Sequence, residues 1–313
     1  MRKGIVYLLV FLLLFFGILY LVIPNRVSLN ERADLTANEK AFARVFLNET
    51  NWPQWWPGEK ERVQDASANF VYNDNKYTIT ARRFTSLVIS IAHGEDSVST
   101  ELFLVPVRAN RVELAWVGAT NTGTSPLARI KKYAWAKKLS ADLHLLLQRM
   151  QSFYANDEKL YGFQILETRV VDSLLVSTST VTKEKPSTEV VYGLVDKLKA
   201  FVQKNNAKEI SAPMLNVFKN DSTYLTRVAI PVDKALHNEG DIEFKRMLAK
   251  GNILTTDVKG GPWKVEKAFA EMENFANDNN RTAPAIPFQK LITDRRAEPD
   301  TSKWITKIYW PVM

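Results

Sequence analysis

At 313 residues the chain exceeds the usual size of one hydrophobic core, so two domains are expected; 46% hydrophobic and 24% charged residues exclude a disordered or collagenous chain. The net charge of +8 has acidic residues interleaved throughout, which suits a surface near anionic lipid and provides no organised stripe for nucleic acid. Cysteine is absent, which excludes disulfides, thiolate catalysis and zinc sites of the cysteine type.

The chain opens on Arg2-Lys3 and then an uncharged apolar run, IVYLLVFLLLFFGILYLVI, over residues 5–23. At about 1.5 Å per residue that run can cross a hydrocarbon core, and no small-residue cut site follows it. A single-pass transmembrane anchor over residues 1–25 is therefore predicted, rather than a cleaved signal peptide. Arg2 and Lys3 favour a cytoplasmic amino terminus although Arg26, Arg32 and Lys40 follow the helix. The domains behind it are expected on the extracytoplasmic, periplasmic side.

Residues 27–35 alternate as a strand, and Thr36 or Asn38 can cap a helix over residues 39–48. Trp52-Pro-Gln-Trp-Trp-Pro57 is too rich in proline for a regular helix and too aromatic for an exposed loop, so it should fold onto the core. Alternating runs from Ala68 to Val117 are broken at residues 73–75, 94–96 and 109–110, the mark of a meander. After Ser125-Pro126, the recurrence of Ile130, Ala134, Leu139, Leu143, Leu146, Leu147 and Met150 predicts one long amphipathic helix to about Tyr154. Strand, two short helices, meander and long final helix resemble the START-like, polyketide-cyclase-like (SRPBCC) helix-grip fold, assigned to residues 26–156. The resemblance implies an apolar ligand between sheet and helix and carries over no catalytic residue; Trp52, Trp55 and Trp56 are expected to be core.

The second half repeats itself. Helix 190–208 overlies 264–282 at an offset of 74, placing Val191 on Val265, Phe201 on Phe275, Asn205-Asn206 on Asn279-Asn280 and Pro213 on Pro287. After six extra residues in the second hairpin, 226–232 matches 306–312 at an offset of 80, and both copies end in Pro-Val. Each unit reads strand, helix, strand, strand, so two units sharing one core would form a pseudo-twofold sheet with both helices on one side and a cleft on the other.

Val228-Ala-Ile-Pro-Val232, Gly260-Gly-Pro-Trp263, Thr293-Asp294 and Glu298-Pro-Asp-Thr301 resemble the GyrI-like, AraC-type effector-binding domain, here residues 157–313. The resemblance implies a cleft for a small amphipathic or hydrophobic molecule. Where that family carries a buried glutamate this chain has Gln289, an amide with no titratable group, which argues against hydrolysis and cation selection and for a neutral or weakly polar ligand. The family's pocket aromatic corresponds to Trp263. Alternation in the last strand turns Thr306, Ile308 and Trp310 towards the helices and Lys307 and Tyr309 towards the cleft. Gln289, Trp263 and Tyr309 are thus the ligand-binding candidates.

His93, His144 and His237 have no partner at metal-ligand spacing, and no phosphate loop or nucleophile motif is present, so no metal, cofactor or catalytic residue is assigned. The sequence predicts an α+β, membrane-anchored, non-enzymatic binding protein, a sensor or carrier. Two alternatives stay open: a cyclase- or hydrolase-type enzyme using the START-like cavity, and a sensor acting through a protein partner.

Overall fold

The computed structural model describes residues 20–62, 68–108, 110–171, 174–247 and 249–313, with residues 7, 11, 14, 17 and 18 of the opening segment. Among the described residues no helix is long and apolar enough to cross a membrane. The stretch expected to do so, residues 5–23, lies largely outside them. The chain is a mixed α+β protein with two antiparallel sheets, and it divides into two compact units between Asn156 and Asp157.

The first unit starts with strand β1 (Arg26–Leu35) and helix α1 (Glu39–Phe46). Of the two proposed caps Asn38 acts, its Oδ1 accepting from the amides of Lys40 at 3.0 Å and Ala41 at 3.3 Å. The predicted extension of α1 to Asn48 does not form. Asn48 instead accepts from the Thr50 amide at 3.1 Å and caps a new 3-10 helix, Glu49–Gln54, that carries Trp52 inwards. Six strands follow: β2 (Glu59–Arg62), β3 (Ala68–Tyr72), β4 (Asn75–Arg82), β5 (Ser86–His93), β6 (Asp96–Arg108) and β7 (Arg111–Asn121). The sheet order β1-β7-β6-β5-β4-β3-β2 is a meander closed by the first strand, with Arg26 opposite Asn121 and Leu35 opposite Val112.

Helix α2 (Pro126–Tyr154) then buries Trp135, Leu139, Leu143, Leu146, Leu147, Met150 and Tyr154. Ser125 caps it by accepting from the Ala128 amide at 3.2 Å. The interior of this unit is aromatic. Trp52 packs on Trp55 at 5.1 Å and Trp56 at 5.9 Å, Trp56 meets Tyr77 at 5.1 Å, and Tyr77 meets Trp116 at 6.1 Å. Three of these indole N–H groups find an oxygen: Trp52 donates to the Phe46 carbonyl and Trp56 to the Val71 carbonyl, both at 3.1 Å, and Trp116 to Thr100 Oγ1 at 2.9 Å. Gly58 is required beside them, because a Cβ there would lie 1.8 Å from the Val71 carbonyl oxygen.

A buried carboxylate ties the β3–β4 turn to α2. Asp142 accepts from Asn73 Nδ2 at 2.8 Å and Asn75 Nδ2 at 3.3 Å, while Trp135 donates to Asn75 Oδ1 at 2.9 Å. Such a network stabilises only when its members are all satisfied, and here it fixes a turn whose Asn73 and Asp74 both have positive φ.

The second unit begins with short helix α3 (Asp157–Tyr161) and strands β8 (Leu166–Arg169) and β9 (Leu174–Thr182). Next come α4 (Thr188–Lys204), β10 (Met214–Asn220), β11 (Thr223–Pro231), β12 (Glu243–Arg246) and β13 (Asn252–Lys259). Helix α5 (Pro262–Asp278), β14 (Phe288–Leu291), a 3-10 turn (Thr301–Lys303) and β15 (Ile305–Pro311) complete it. The sheet order is β12-β9-β11-β10-β14-β15-β13-β8. The repeats β9-α4-β10-β11 and β13-α5-β14-β15 meet where β10 pairs β14, with Leu215 opposite Gln289. Those two residues are separated by the repeat offset of 74, so the pseudo-twofold axis passes between them.

Both repeat helices end in the same way, which explains the duplicated Asn-Asn. Asn205 Nδ2 donates to the Phe201 carbonyl at 2.9 Å and Asn279 Nδ2 to the Phe275 carbonyl at 2.8 Å. Asn206 and Asn280 then turn the chain out at φ of 49° and 54°, in the left-handed region that asparagine tolerates.

Two expectations are corrected. Each repeat has an added edge strand, and the edges are exchanged: β8, preceding the first repeat, pairs β13 of the second, while β12, preceding the second, pairs β9 of the first. The repeats also do not share one core. One cluster gathers Val191, Val195, Leu198, Val228 and Ile230 beneath α4, and another gathers Leu254, Val265, Ala268, Met272 and Ile308 beneath α5.

Candidate ligand cleft

Between these clusters lies a cavity of about 750 Å³, a volume typical of small-molecule sites. Equivalent positions of the two repeats line it in pairs: Val191 with Val265, Leu215 with Gln289, and Tyr224 with Trp304. Phe269 and Trp310 add apolar wall. This cleft therefore opens on the helix-bearing face, on the pseudo-twofold axis, while the opposite face, where a cleft was expected, carries smaller hollows of about 440 and 420 Å³. Physically, two helices seated on separate cores leave the sheet between them uncovered.

Gln289 stands on the floor of this cleft, half-buried, its Oε1 accepting from Arg295 Nη2 at 3.0 Å. The same Nη2 donates to Thr306 Oγ1 at 3.1 Å, and the guanidinium carbon lies 4.8 Å from the Trp304 ring centre. The loop carrying Arg295 is the insertion noticed in the sequence. It is fixed from across the axis by Tyr192 of α4, whose hydroxyl accepts from the Arg295 amide at 2.8 Å and donates to the Thr293 carbonyl at 3.2 Å. Trp304 Nε1 closes the loop on the Glu298 carbonyl at 2.7 Å. Burial pushes the Tyr192 hydroxyl pKa up and pulls the Arg295 guanidinium pKa below its ordinary value. At the mouth, Lys185 of the first repeat is ion-paired with Glu266 of the second.

The other two candidates lie elsewhere. Trp263 sits in the first turn of α5 with 65% of its surface exposed and is not among the residues lining the cleft. Tyr309 faces away from the helices, stacked on Phe288 at 4.9 Å, where with Lys290 and Lys307 it lines a separate hollow of about 440 Å³. Arg295 was not singled out by sequence reasoning, since a charged loop residue reads as solvated; the insertion in one hairpin was the signal available.

Among the described residues no group of three acidic or histidine side chains could hold a metal ion. In the first unit the interior between strands and helix is occupied by Trp52, Trp55, Phe70, Tyr77 and Trp116, all essentially inaccessible to solvent.

No family model matches the chain, and no curated protein matches it. Among solved structures it is similar to the EcmrR C-terminal domain, at 17% identity over 48% of this chain and 98% of that one, with a TM-score of 0.40. It is similar to a hydrolase from Listeria innocua, at 12% identity over 50% of this chain and 96% of that one, with a TM-score of 0.36. It is also similar to SAV2435 bound to tetraphenylphosphonium, at 11% identity over 48% of this chain and 94% of that one, with a TM-score of 0.34.

Proposed function

We propose that this chain is a membrane-anchored small-molecule-binding protein, a sensor or carrier, that captures an amphipathic ligand in the cleft between the repeats. In this reading the second unit is a GyrI-like effector-binding domain and the first a START-like helix-grip domain, the latter supported by its order of strand, short helices, meander and long helix. The anchor is the apolar run over residues 5–23, supported by its length and lack of charge.

The observation that carries the reading is the preformed cleft of about 750 Å³, with apolar walls and a few converging polar groups at its floor. The test is a titration of the purified full chain with the neutral dye Nile red, read against Thr188→Trp in the same detergent. Thr188 lines the mouth, so a tryptophan there narrows entry. Saturable dye emission that the variant weakens is expected; identical uptake by both proteins would remove the cleft as the binding site. For the anchor, a reporter fused after Met313 is expected to be active outside the cytoplasm, and activity confined to the cytoplasm rules out the proposed orientation.

A further inference from the structure

The floor of the cleft holds a cation that no carboxylate answers among the described residues. Arg295 is half-buried, and its side-chain partners are a neutral amide, a neutral hydroxyl and an indole face. Its neighbour Arg296 shows the contrast, being paired with Asp196 at 2.7 Å and with Asp294 at 3.4 Å on the exposed side of the same loop. The acids that line the cleft do not compensate Arg295: Glu266 is engaged by Lys185, and Glu273 stands exposed on α5. The lowered guanidinium pKa has burial as its largest cause, so the charged form has lost water without gaining a counter-charge. A guanidinium nevertheless stays protonated at neutral pH. A desolvated charge held by dipoles alone is costly, and that cost is relieved when an opposite charge arrives.

Gln289 points the same way. Its Oε1 is occupied by Arg295, and among the described residues its Nε2 makes no hydrogen bond to the protein, which leaves a donor for an acceptor on a guest molecule. The floor is thus a pair of donors, one of them charged.

We propose that the cleft selects an amphipathic anion, with its carboxylate, sulfonate or phosphate head at Arg295 and Gln289 and its apolar body against Val191, Val265, Phe269 and Trp310. This rests on the cleft reading above, and it reverses the neutral ligand that Gln289 alone implies. A bidentate fork such as a guanidinium suits an oxyanion head, and Arg295 lines the cavity with no carboxylate paired to it among the described residues.

Tetraphenylborate and tetraphenylphosphonium share a shape and differ in the sign of their charge, so they separate charge selection from apolar capture. Each is titrated calorimetrically into the full chain in one nonionic detergent, with wild type, Arg295→Met and Arg295→Lys compared. The borate is expected to bind wild type roughly tenfold or more tightly than the phosphonium, the ratio falling towards unity in Arg295→Met and persisting in Arg295→Lys. Equal or tighter binding of the phosphonium to wild type overturns the anion inference and leaves the cleft reading standing. A borate preference undiminished in Arg295→Met overturns the role given to Arg295. Saturable binding of neither probe removes the cleft reading and this one together. The wild-type comparison needs no variant, so a misfolded Arg295→Met does not blunt the test.

Discussion

The two units treat the space between sheet and helix in opposite ways. In the first, a single helix of 29 residues faces a seven-stranded meander, and four tryptophans with Phe70 and Tyr77 fill the interior. In the second, two helices of 17 residues each sit on their own apolar cluster and leave a gap on the axis between them. Duplication explains the gap: each repeat packs its own helix against its own strands, and the central pair β10–β14 is left roofed by neither. Large rings then decide stability in the first unit, and in the second the same kind of ring becomes a wall.

The comparison breaks most visibly at Trp52. Replacing it with alanine removes a buried indole and the bond to the Phe46 carbonyl, and a loss of about 3–5 kcal/mol is expected in chemical denaturation of the first unit. Dye binding in the second unit should survive under native conditions; its loss would couple the two units and weaken the contrast. Next comes Asp142→Ala, which removes the acceptor shared by the exposed Asn73 amide and the buried Asn75 amide and should cost about 1–3 kcal/mol, read as a lowered unfolding midpoint. A variant as stable as wild type would mean that the turn does not depend on the helix.

A cleft wall should respond differently. Phe269→Leu removes atoms that already border open space, so about 1 kcal/mol of stability or less is expected to be lost while affinity for an apolar ligand falls measurably in the same titrations. A large stability loss with unchanged affinity would make Phe269 core rather than wall.

The smallest effect is expected at Tyr77, whose buried hydroxyl has no hydrogen-bond partner among the described residues. Tyr77→Phe should be neutral or stabilising by about 1 kcal/mol. Burial raises the pKa of this hydroxyl well above 10.0, with Asp142 adding to the rise, so the folded state holds the proton more tightly than the unfolded one. Its contribution is therefore intact below pH 10 and lost as pH climbs beyond it. The phenylalanine variant should show a shallower loss on the alkaline side; an identical alkaline limb would locate the titration elsewhere, Tyr154 being the next group raised by burial.

Much of this was legible in the chain itself. The two offsets, 74 and 80, located the repeats, the Asn-Asn pairs marked the ends of their helices, and apolar spacing after Ser125 placed α2. Those features are local: periodicity, caps and turn residues act within a few positions, so they survive in a linear reading. Strands β8 and β12 did not survive it, because each is four residues long and mostly exposed, with no buried face to impose alternation.

The cleft and its charge belong to the tertiary structure. Gln289 was singled out in the sequence only through a resemblance, and its place at the centre of the duplicated sheet, like the side of the sheet that stayed open, depended on how the strands paired and where two helices came to rest. Arg295 and Arg296 are neighbours in one acidic-basic loop, and nothing in their sequence separates them. Only the folded hairpin turns one into a paired surface charge and the other into a cation over the cleft, because burial and the distance to a carboxylate are properties of the assembled chain.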